Sequence, residues 1–247
     1  MQGQSAVMFA PPKEPKLFAN LLGDFQNQAE IKDVKDLLLE LGIFAEYLPG
    51  GGIKSGILQR AHLNIYHSPI SEVFIKKRLQ TRFGRPYLTV SFFGPSETAG
   101  SLRDIGLALG LPSSDVEPVI RRGLGSITEG INFYGSELFG KRVLVLLEGY
   151  HRDLVKRIVD DLGMQIVPIH HIRNQHVRPD TLTNLLRDNK AQLVIGSGNN
   201  LWLSNGMEVG CLILPDPEQS FLGFAGFTNL ARCIALALRG GYPVFHE

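Results

Sequence analysis

The feature that most constrains the fold of this chain is a repeated alternation between short apolar runs and longer stretches of helical period. In the first half the apolar runs lie at residues 16–22, 43–48, 62–66 and 87–90, and the helical stretches at 29–41, 69–83 and 97–109. In the second half the apolar runs lie at residues 142–147, 165–169, 192–195 and 211–214, and the helical stretches at 154–162, 181–188 and 228–238. This pattern predicts βα units built around parallel sheets.

Residues 112–141 interrupt the alternation. This stretch is helical in pattern, is broken by glycines and is poor in strand signals. We therefore predict an α/β fold with two doubly wound domains, at residues 16–111 and 142–247, joined by a helical segment and preceded by an N-terminal lead-in at residues 1–15. In such folds, ligands bind where the carboxyl ends of the strands meet the loops.

Charge and cysteine content narrow the classes of function. The formal net charge is +1 over 247 residues and no block of like charges occurs, which disfavours nucleic acid and an anionic membrane as partners. The only two cysteines, Cys211 and Cys233, are in no CxxC spacing, which disfavours a zinc site, a disulfide framework and a self-contained Fe–S cluster. Neither a secretion signal nor an apolar run of ~18 residues is found, so we expect a cytoplasmic protein.

Two polar stretches at the predicted carboxyl edges are candidate ligand sites. EGYHRD, at residues 148–153, follows a strong apolar run in the second half. There His151 could donate to an anionic ligand, and Arg152 could bind a carboxylate at two points. The alternative is a solvated first turn of helix. Ser96 lies at the equivalent edge of the first half, where its position also predicts a helix cap.

The stretch AHLNIYHSPISEVF, at residues 61–74, ends an apolar run on His67 and Ser68. The spacing predicts a strand that ends at Tyr66, with Ser68 as the N-cap of the next helix and Pro69 as its first residue. At the edge of a sheet, His67 and Ser68 could equally form the wall of a binding site. Spacing alone favours the cap.

Two further stretches resemble a metal-binding motif and a phosphate-binding motif, but their residues do not have the spacing that these motifs require. IHHIRNQH, at residues 169–176, holds three histidines, yet His170 and His171 point to opposite faces of a strand, so only one of them could join His176 around an ion. GGGIKSG, at residues 50–56, lacks the glycine that precedes the lysine of a phosphate-binding loop. We therefore predict no metal-ligating residues, and no clean GxGxxG supports a nicotinamide cofactor.

Several phrases, taken together and in order, resemble the nitrogenase component 1 family. They are LLGDF, IKDVKDLLLELGI, AHLNIYHS, FIKKRLQTRFGRPYLTVSFFGP, SLRDIGLALGL, EGINFYGSELFGKRVLVLLEGY, IVDDLGMQIVPI and GFAGFTNLARCIALAL. The resemblance covers nearly all of residues 16–238. The family includes the catalytic molybdenum–iron protein subunits, the homologous scaffold on which their cofactor is matured, and the dark-operative reductases of tetrapyrrole synthesis. The phrase KRLQTRFGRPYLTVSFFGP most resembles the scaffold and the catalytic α-type subunits.

The resemblance implies that this chain matches the second and third of the three Rossmann-like domains of the family, without the first, which supplies most cysteines of an electron-transfer Fe–S cluster. It also implies that Ser68 stands where relatives often have a cysteine that holds the large metallocofactor. A hydroxyl is a far poorer ligand for such a cofactor than a thiolate. The histidine ligand of the catalytic subunits aligns near Ile213, and the loop with His151 and Arg152 aligns with one that borders the cofactor.

These implications predict a nitrogenase-component-1-like subunit or fragment that acts as a cofactor- or ligand-holding scaffold, or within a reductase complex, rather than as a self-sufficient enzyme. The resemblance implies either an Fe–S-type metallocofactor or a tetrapyrrole, a homo- or hetero-oligomer with a nitrogenase-like subunit, and an iron-protein reductase as partner. The alternative is a truncated, non-redox binding or regulatory module for a small anionic ligand or a protein partner. The candidate cofactor-binding residues are His67, Ser68, Ser96, His151 and Arg152.

Overall fold

The structure is a computed structural model that describes most of the chain. The described residues are 17–49, 60–67, 87–147, 149–168, 179–197, 209–214 and 218–240, with the backbone alone described for residues 149–151, 153, 154 and 179. Several predicted features lie outside them: Ser68, the helix at 69–83, the glycine run at 50–56 and the three histidines at 170, 171 and 176.

Two four-stranded parallel sheets form the frame of the molecule. The first sheet contains β1 (Leu17–Gly23), β2 (Ile43–Tyr47), β3 (Leu63–His67) and β4 (Tyr87–Val90), in the order β2-β1-β3-β4. The second contains β5 (Arg142–Leu146), β6 (Gln165–Ile166), β7 (Leu193–Gly196) and β8 (Gly210–Ile213), in the order β6-β5-β7-β8. All of the strand pairs among the described residues are parallel, which confirms the predicted α/β class.

Long helices connect and cover the strands. They are α1 (Gln28–Glu40), α2 (Pro95–Ala108), α3 (Ser113–Leu138), α4 (Gly149–Asp161), α5 (Pro179–Asp188) and α6 (Gly223–Leu238). Helix α1 shows why the sequence folds in this way: Asn27 caps its first turn, Ile31, Val34 and Leu38 bury one face, and Gly42 turns the chain at φ +75. No described helix is long and apolar enough to cross a membrane.

Several helices begin earlier than the sequence predicts, among them α2, α4 and α6. Helix α2 begins at Pro95 behind Gly94, so Ser96 lies in the first turn and is not the cap. Helix α4 begins at Gly149, so residues 149–153 form the start of a helix, which was the alternative to a ligand-binding loop. Helix α6 begins at Gly223 and not at residue 228. At Gly94 and at the N-cap of α6 no side chain makes a capping hydrogen bond, so the usual sequence signal for a helix start is missing.

The connecting segment is helical, as predicted, and its glycines do not break it. Helix α3 runs without interruption from Ser113 to Leu138. A Cβ atom at Gly123 would lie 2.1 Å from Cδ2 of Phe224, and one at Gly130 would lie 2.3 Å from Cγ2 of Thr228. Glycine is therefore needed where α6 packs against α3, and this packing outweighs the low helix propensity of glycine.

One hydrophobic cluster includes buried residues of both sheets, such as Leu21 and Ile65 of the first and Val145 and Ile195 of the second. Helix α6 follows β8 in sequence but packs on α3 and comes within reach of α1, where Leu37 lies 3.9 Å from the Cβ position of Gly223. The domain boundaries at residues 111/112 and 141/142 stay a prediction.

Candidate functional site

The segments that leave the carboxyl edges of the two sheets are bonded to each other. Phe93, which follows β4, forms an isolated antiparallel bridge with Leu222, which lies between β8 and α6. Asn27, which follows β1, donates from Nδ2 to the carbonyl oxygen of Gln219 at 2.9 Å. We call the contact of residues 24–30 and 91–98 with residues 219–223 the junction. Segments from the carboxyl edges of both sheets therefore meet at the junction, and this edge is where open α/β folds bind their ligands.

Helix α4 adds a second link between the halves of the chain. Its Arg157 Nη1 lies 2.9 Å from Glu97 Oε1 in the first turn of α2. Beside this ion pair, a Cβ atom at Gly94 would lie 3.6 Å from Cγ1 of Ile158. The pair is partly exposed, so it stabilises the protein little, but it fixes how α4 approaches the start of α2.

His67 lies beside the point where the strand order of the first sheet reverses, between β1 and β3. Its side chain is buried, and its Nδ1 accepts a hydrogen bond from the amide of Phe92 at 3.3 Å. An accepting Nδ1 is unprotonated, so the neutral ring carries its proton on Nε2. His67 therefore forms a buried part of the wall of the junction, and its Nδ1 accepts a hydrogen bond from the backbone.

The backbone around His67 is held by a glycine. Gly23, the last residue of β1, has φ +121, and a Cβ atom there would lie 2.0 Å from the carbonyl oxygen of His67. The same oxygen accepts from the amide of Asp24 at 2.9 Å. The carboxyl ends of β1 and β3 therefore approach more closely than any side chain at position 23 would allow.

Aromatic rings cross the carboxyl edge of the first sheet in strand order. Tyr47 ends β2, Phe25 follows β1, His67 ends β3 and Phe92 follows β4. The ring centroids are 5.4 Å apart for Phe25 and Tyr47, 4.9 Å for Phe25 and His67, and 5.7 Å for His67 and Phe92. Phe92 and His67 are buried, whereas Phe25 and Tyr47 are partly exposed and can offer ring faces to a ligand. This row of rings was not predicted from the sequence, although an aromatic residue at or just after each strand end was a signal for it.

A polar turn precedes α1 at the junction and is closed by the buried side chain of Glu30. Asn27 Oδ1 accepts from the amide of Glu30 at 2.9 Å, and Glu30 Oε2 accepts from the amide of Gln26 at 2.8 Å. Burial raises the pKa of the Glu30 carboxyl to about 7; the hydrogen bond from Gln26 opposes this shift and the charge of Asp33 adds to it. Spacing alone would assign Glu30 to an ordinary first helical turn, so its burial was missed.

Asn27 therefore has two structural tasks, and substitutions can separate them. We expect Asn27→Ala to lower the free energy of unfolding by about 1–2 kcal/mol, because it removes the helix cap and the hydrogen bond to Gln219. Asn27→Ser keeps an acceptor for the cap and should lose about half as much. Equilibrium urea unfolding measures both. A serine variant as stable as the wild type would show that the bond to Gln219 does not stabilise the fold.

Of the five predicted site residues, the structure places His67 in the buried wall of the junction and Ser96 within the junction segment 91–98, exposed in the first turn of α2. Arg152 is exposed in the first turn of α4. The side chain of His151 and all of Ser68 lie outside the described atoms. That these five residues form one binding site stays a prediction.

The described residues do not fit a cofactor that is held through sulfur. Within the described ranges, no group of three or more His, Cys, Asp or Glu side chains is placed to hold a metal ion. The junction segments contain no cysteine. Cys233 is buried within α6 and Cys211 lies on β8. Iron–sulfur-type cofactors are bound through thiolates, which these segments do not supply.

Comparisons with known proteins match this architecture. A family model described as nitrogenase component 1 type oxidoreductase matches residues 6–239. The nitrogenase molybdenum-iron protein alpha chain of Methanothermobacter marburgensis is 26% identical over 254 residues, which cover 92% of this chain and 53% of that protein. The nitrogenase iron-molybdenum cofactor biosynthesis protein NifE of Klebsiella pneumoniae is 25% identical over 252 residues, which cover 92% of this chain and 55% of that protein.

A solved structure agrees with these sequence matches in fold. The structure described as nitrogenase Cp1 at pH 5 superposes with a TM-score of 0.69 at 15% identity, over 91% of this chain and 57% of that one. The chain spans about half the length of the curated relatives it matches. These findings confirm the resemblance seen in the sequence phrases.

Proposed function

Because the chain belongs to the nitrogenase component 1 type oxidoreductase family, we propose that it is a ligand-holding component that works within a larger complex rather than as a self-sufficient enzyme. The observation that carries the proposal is the junction itself: the Phe93–Leu222 bridge and the bond from Asn27 to Gln219 bring both carboxyl edges to one place. The match to a protein described as a cofactor biosynthesis protein supports a holding role, and the match to an alpha chain supports a homologous subunit as partner.

The chemistry of the junction favours a ligand bound without sulfur. The partly exposed rings of Phe25 and Tyr47 offer flat apolar surface at the edge of the first sheet. We place the exposed Arg152 of α4 beside them as the group that pairs with a carboxylate of the ligand. The first turn of α4, where Arg152 lies, carries the positive end of a helix dipole. A flat ring with acidic substituents, such as a tetrapyrrole, fits this set better than an Fe–S-type cofactor does. A small colourless anion is the second candidate, because Arg152 alone would suffice for it.

The test is anaerobic purification followed by iron and molybdenum analysis, visible absorption and native mass spectrometry. We expect a stoichiometric non-covalent adduct with substoichiometric iron. A coloured adduct would support the ring, and a colourless one would support the small anion. A native mass equal to the sequence mass in every preparation would contradict a holding role. Stoichiometric iron with charge-transfer bands would overturn the conclusion that sulfur is not used.

A matched pair of arginine variants locates the adduct. We expect Arg152→Ala to lower its occupancy about tenfold at limiting ligand, the cost of one lost charge-assisted hydrogen bond. Arg187→Ala serves as the control, because Arg187 is also exposed but lies in the last turn of α5, at the opposite edge of the second sheet. Equal occupancy in the two variants would remove Arg152 from the site.

A further inference from the structure

We propose that Glu30 is a proton-controlled latch of the junction: the turn before α1 stays bonded to residues 219–223 while the carboxyl is neutral, and it loosens when the carboxyl ionises. The proposal goes beyond ligand holding and does not depend on the identity of the ligand. It rests on the hydrogen-bonded path from Glu30 across the junction and on the burial of its side chain.

The path begins within the turn. Glu30 is 5% exposed, and its side chain folds back so that Oε2 accepts from the amide of Gln26 at 2.8 Å. Its own amide donates to Oδ1 of Asn27 at 2.9 Å. The amide group of Asn27 then donates across the junction to Gln219. The position of the Asn27 side chain therefore depends on a turn that the Glu30 carboxyl closes.

The far side of the junction is anchored independently. Arg232 Nη2 donates to Gln219 Oε1 at 3.0 Å, and Asn229 Nδ2 donates to the carbonyl oxygen of Ser220 at 3.3 Å. Both donors belong to α6, which is buried against α3. Because residues 219 and 220 are tied to a packed helix, we expect the turn at residues 24–30 to be the part that moves.

Ionisation of Glu30 opposes the closed turn, because the hydration that a buried carboxylate loses outweighs the stronger hydrogen bond that it would accept from the amide of Gln26. The pKa of this group is about 7 in the folded chain and ordinarily 4.5. The stabilisation from the neutral acid is therefore complete below pH 4.5, declines as the pH rises towards 7 and is absent above it. The latch is thus closed in mildly acidic solution and strained in alkaline solution.

Other charged and titratable groups surround the latch. Asp33 on α1 raises the pKa of Glu30 further. The remaining described groups are Asp24 in the turn, His67 behind the ring of Phe25, and Glu218 and Arg232 on the far side, where Arg232 bonds Gln219. Imidazole groups in model peptides titrate near neutral pH, so the experiment must distinguish His67 from Glu30.

Hydrogen exchange of the intact chain, followed by mass spectrometry across pH 5.5–8.5 and expressed as protection factors, tests the latch. We expect protection of peptides that contain residues 24–30 to fall about 20-fold between about pH 5.5 and 7.5 in the wild type, because this turn is the part that moves. In Glu30→Gln it should stay flat, because glutamine can accept from Gln26 but cannot ionise. A fall that persists in this variant would assign the effect to His67 and overturn the proposal.

Two controls keep the result specific. Glu46→Gln replaces an exposed glutamate on β2 and should reproduce the wild-type profile. Peptides from β7, in the second sheet, serve as an internal reference within the wild-type molecule, so the test holds even if Glu30→Gln folds poorly. If the β7 peptides lose protection in parallel with the junction, Glu30 affects only global unfolding, and the latch is wrong.

Discussion

Gly23→Ala should lower the free energy of unfolding by about 3–5 kcal/mol, which is a large part of the stability of most domains. Two penalties add at this position. The backbone at φ +121 is strained for any residue with a side chain, and the new Cβ atom would lie 2.0 Å from the carbonyl oxygen of His67. Backbone atoms of a central strand cannot rotate away as a flexible side chain can. Equilibrium urea unfolding measures the loss.

Gly110→Ala is the matched control, because it carries only the first penalty. Gly110 has φ +68, and nothing lies within 4 Å of its Cβ position. We expect this variant to lose about 1 kcal/mol. If Gly23→Ala lost no more than that, the close approach of β1 to His67 would not contribute to stability.

Hydrophobic periodicity located the regular elements because the buried positions of a strand or a helix recur at a fixed spacing along the sequence. The run at residues 87–90 shows this well, since β4 has those same bounds. Periodicity failed to locate an element where tertiary packing, rather than a local sequence signal, stabilises it. Helix α6 begins with GFAGF, which has poor helix propensity, yet Gly223, Phe224, Gly226 and Phe227 are all buried there. Tertiary packing, rather than helix propensity, therefore stabilises the first turn of α6.

The site was only partly predictable for a similar reason. His67 ends a strand of a doubly wound sheet, so the sequence could place it at a ligand-binding edge. The junction could not be found in this way, because Asn27 and Gln219 are 192 residues apart and nothing local marks them as partners. Glu30 has the ordinary spacing of a helix start, and only the tertiary structure shows that its carboxyl is buried.

The family resemblance supplied what spacing could not, namely the expectation that Ser68, His151 and Arg152 border a shared cleft. It rests on the order of many phrases along the chain and so predicts topology better than it predicts individual ligands. Of the three residues, the structure describes only the side chain of Arg152. The arginine variants and the analysis of the bound adduct therefore test whether these residues share one role.

Gly226→Ala should lower the free energy of unfolding by about 3 kcal/mol, although glycine-to-alanine changes inside helices usually stabilise. Gly226 lies in the first turns of α6 and is buried. A Cβ atom there would lie 2.1 Å from the carbonyl carbon of Phe221 and 2.7 Å from its Cα. The chain doubles back over the start of the helix at this point, so alanine would push Phe221 and Leu222 away from Phe93. Urea unfolding, together with hydrogen exchange of residues 218–227, measures both effects.

Gly125→Ala provides a control of opposite sign. Gly125 lies inside α3, is exposed and has nothing within 4 Å of its Cβ position, so alanine should stabilise the chain by about 0.5–1 kcal/mol through helix propensity alone. Because the two substitutions are chemically identical, the difference in sign isolates the contact with Phe221. If both variants were stabilised, the segment before α6 would have room to move, and the junction would be looser than the hydrogen bonds of Gln219 and Gly223 indicate.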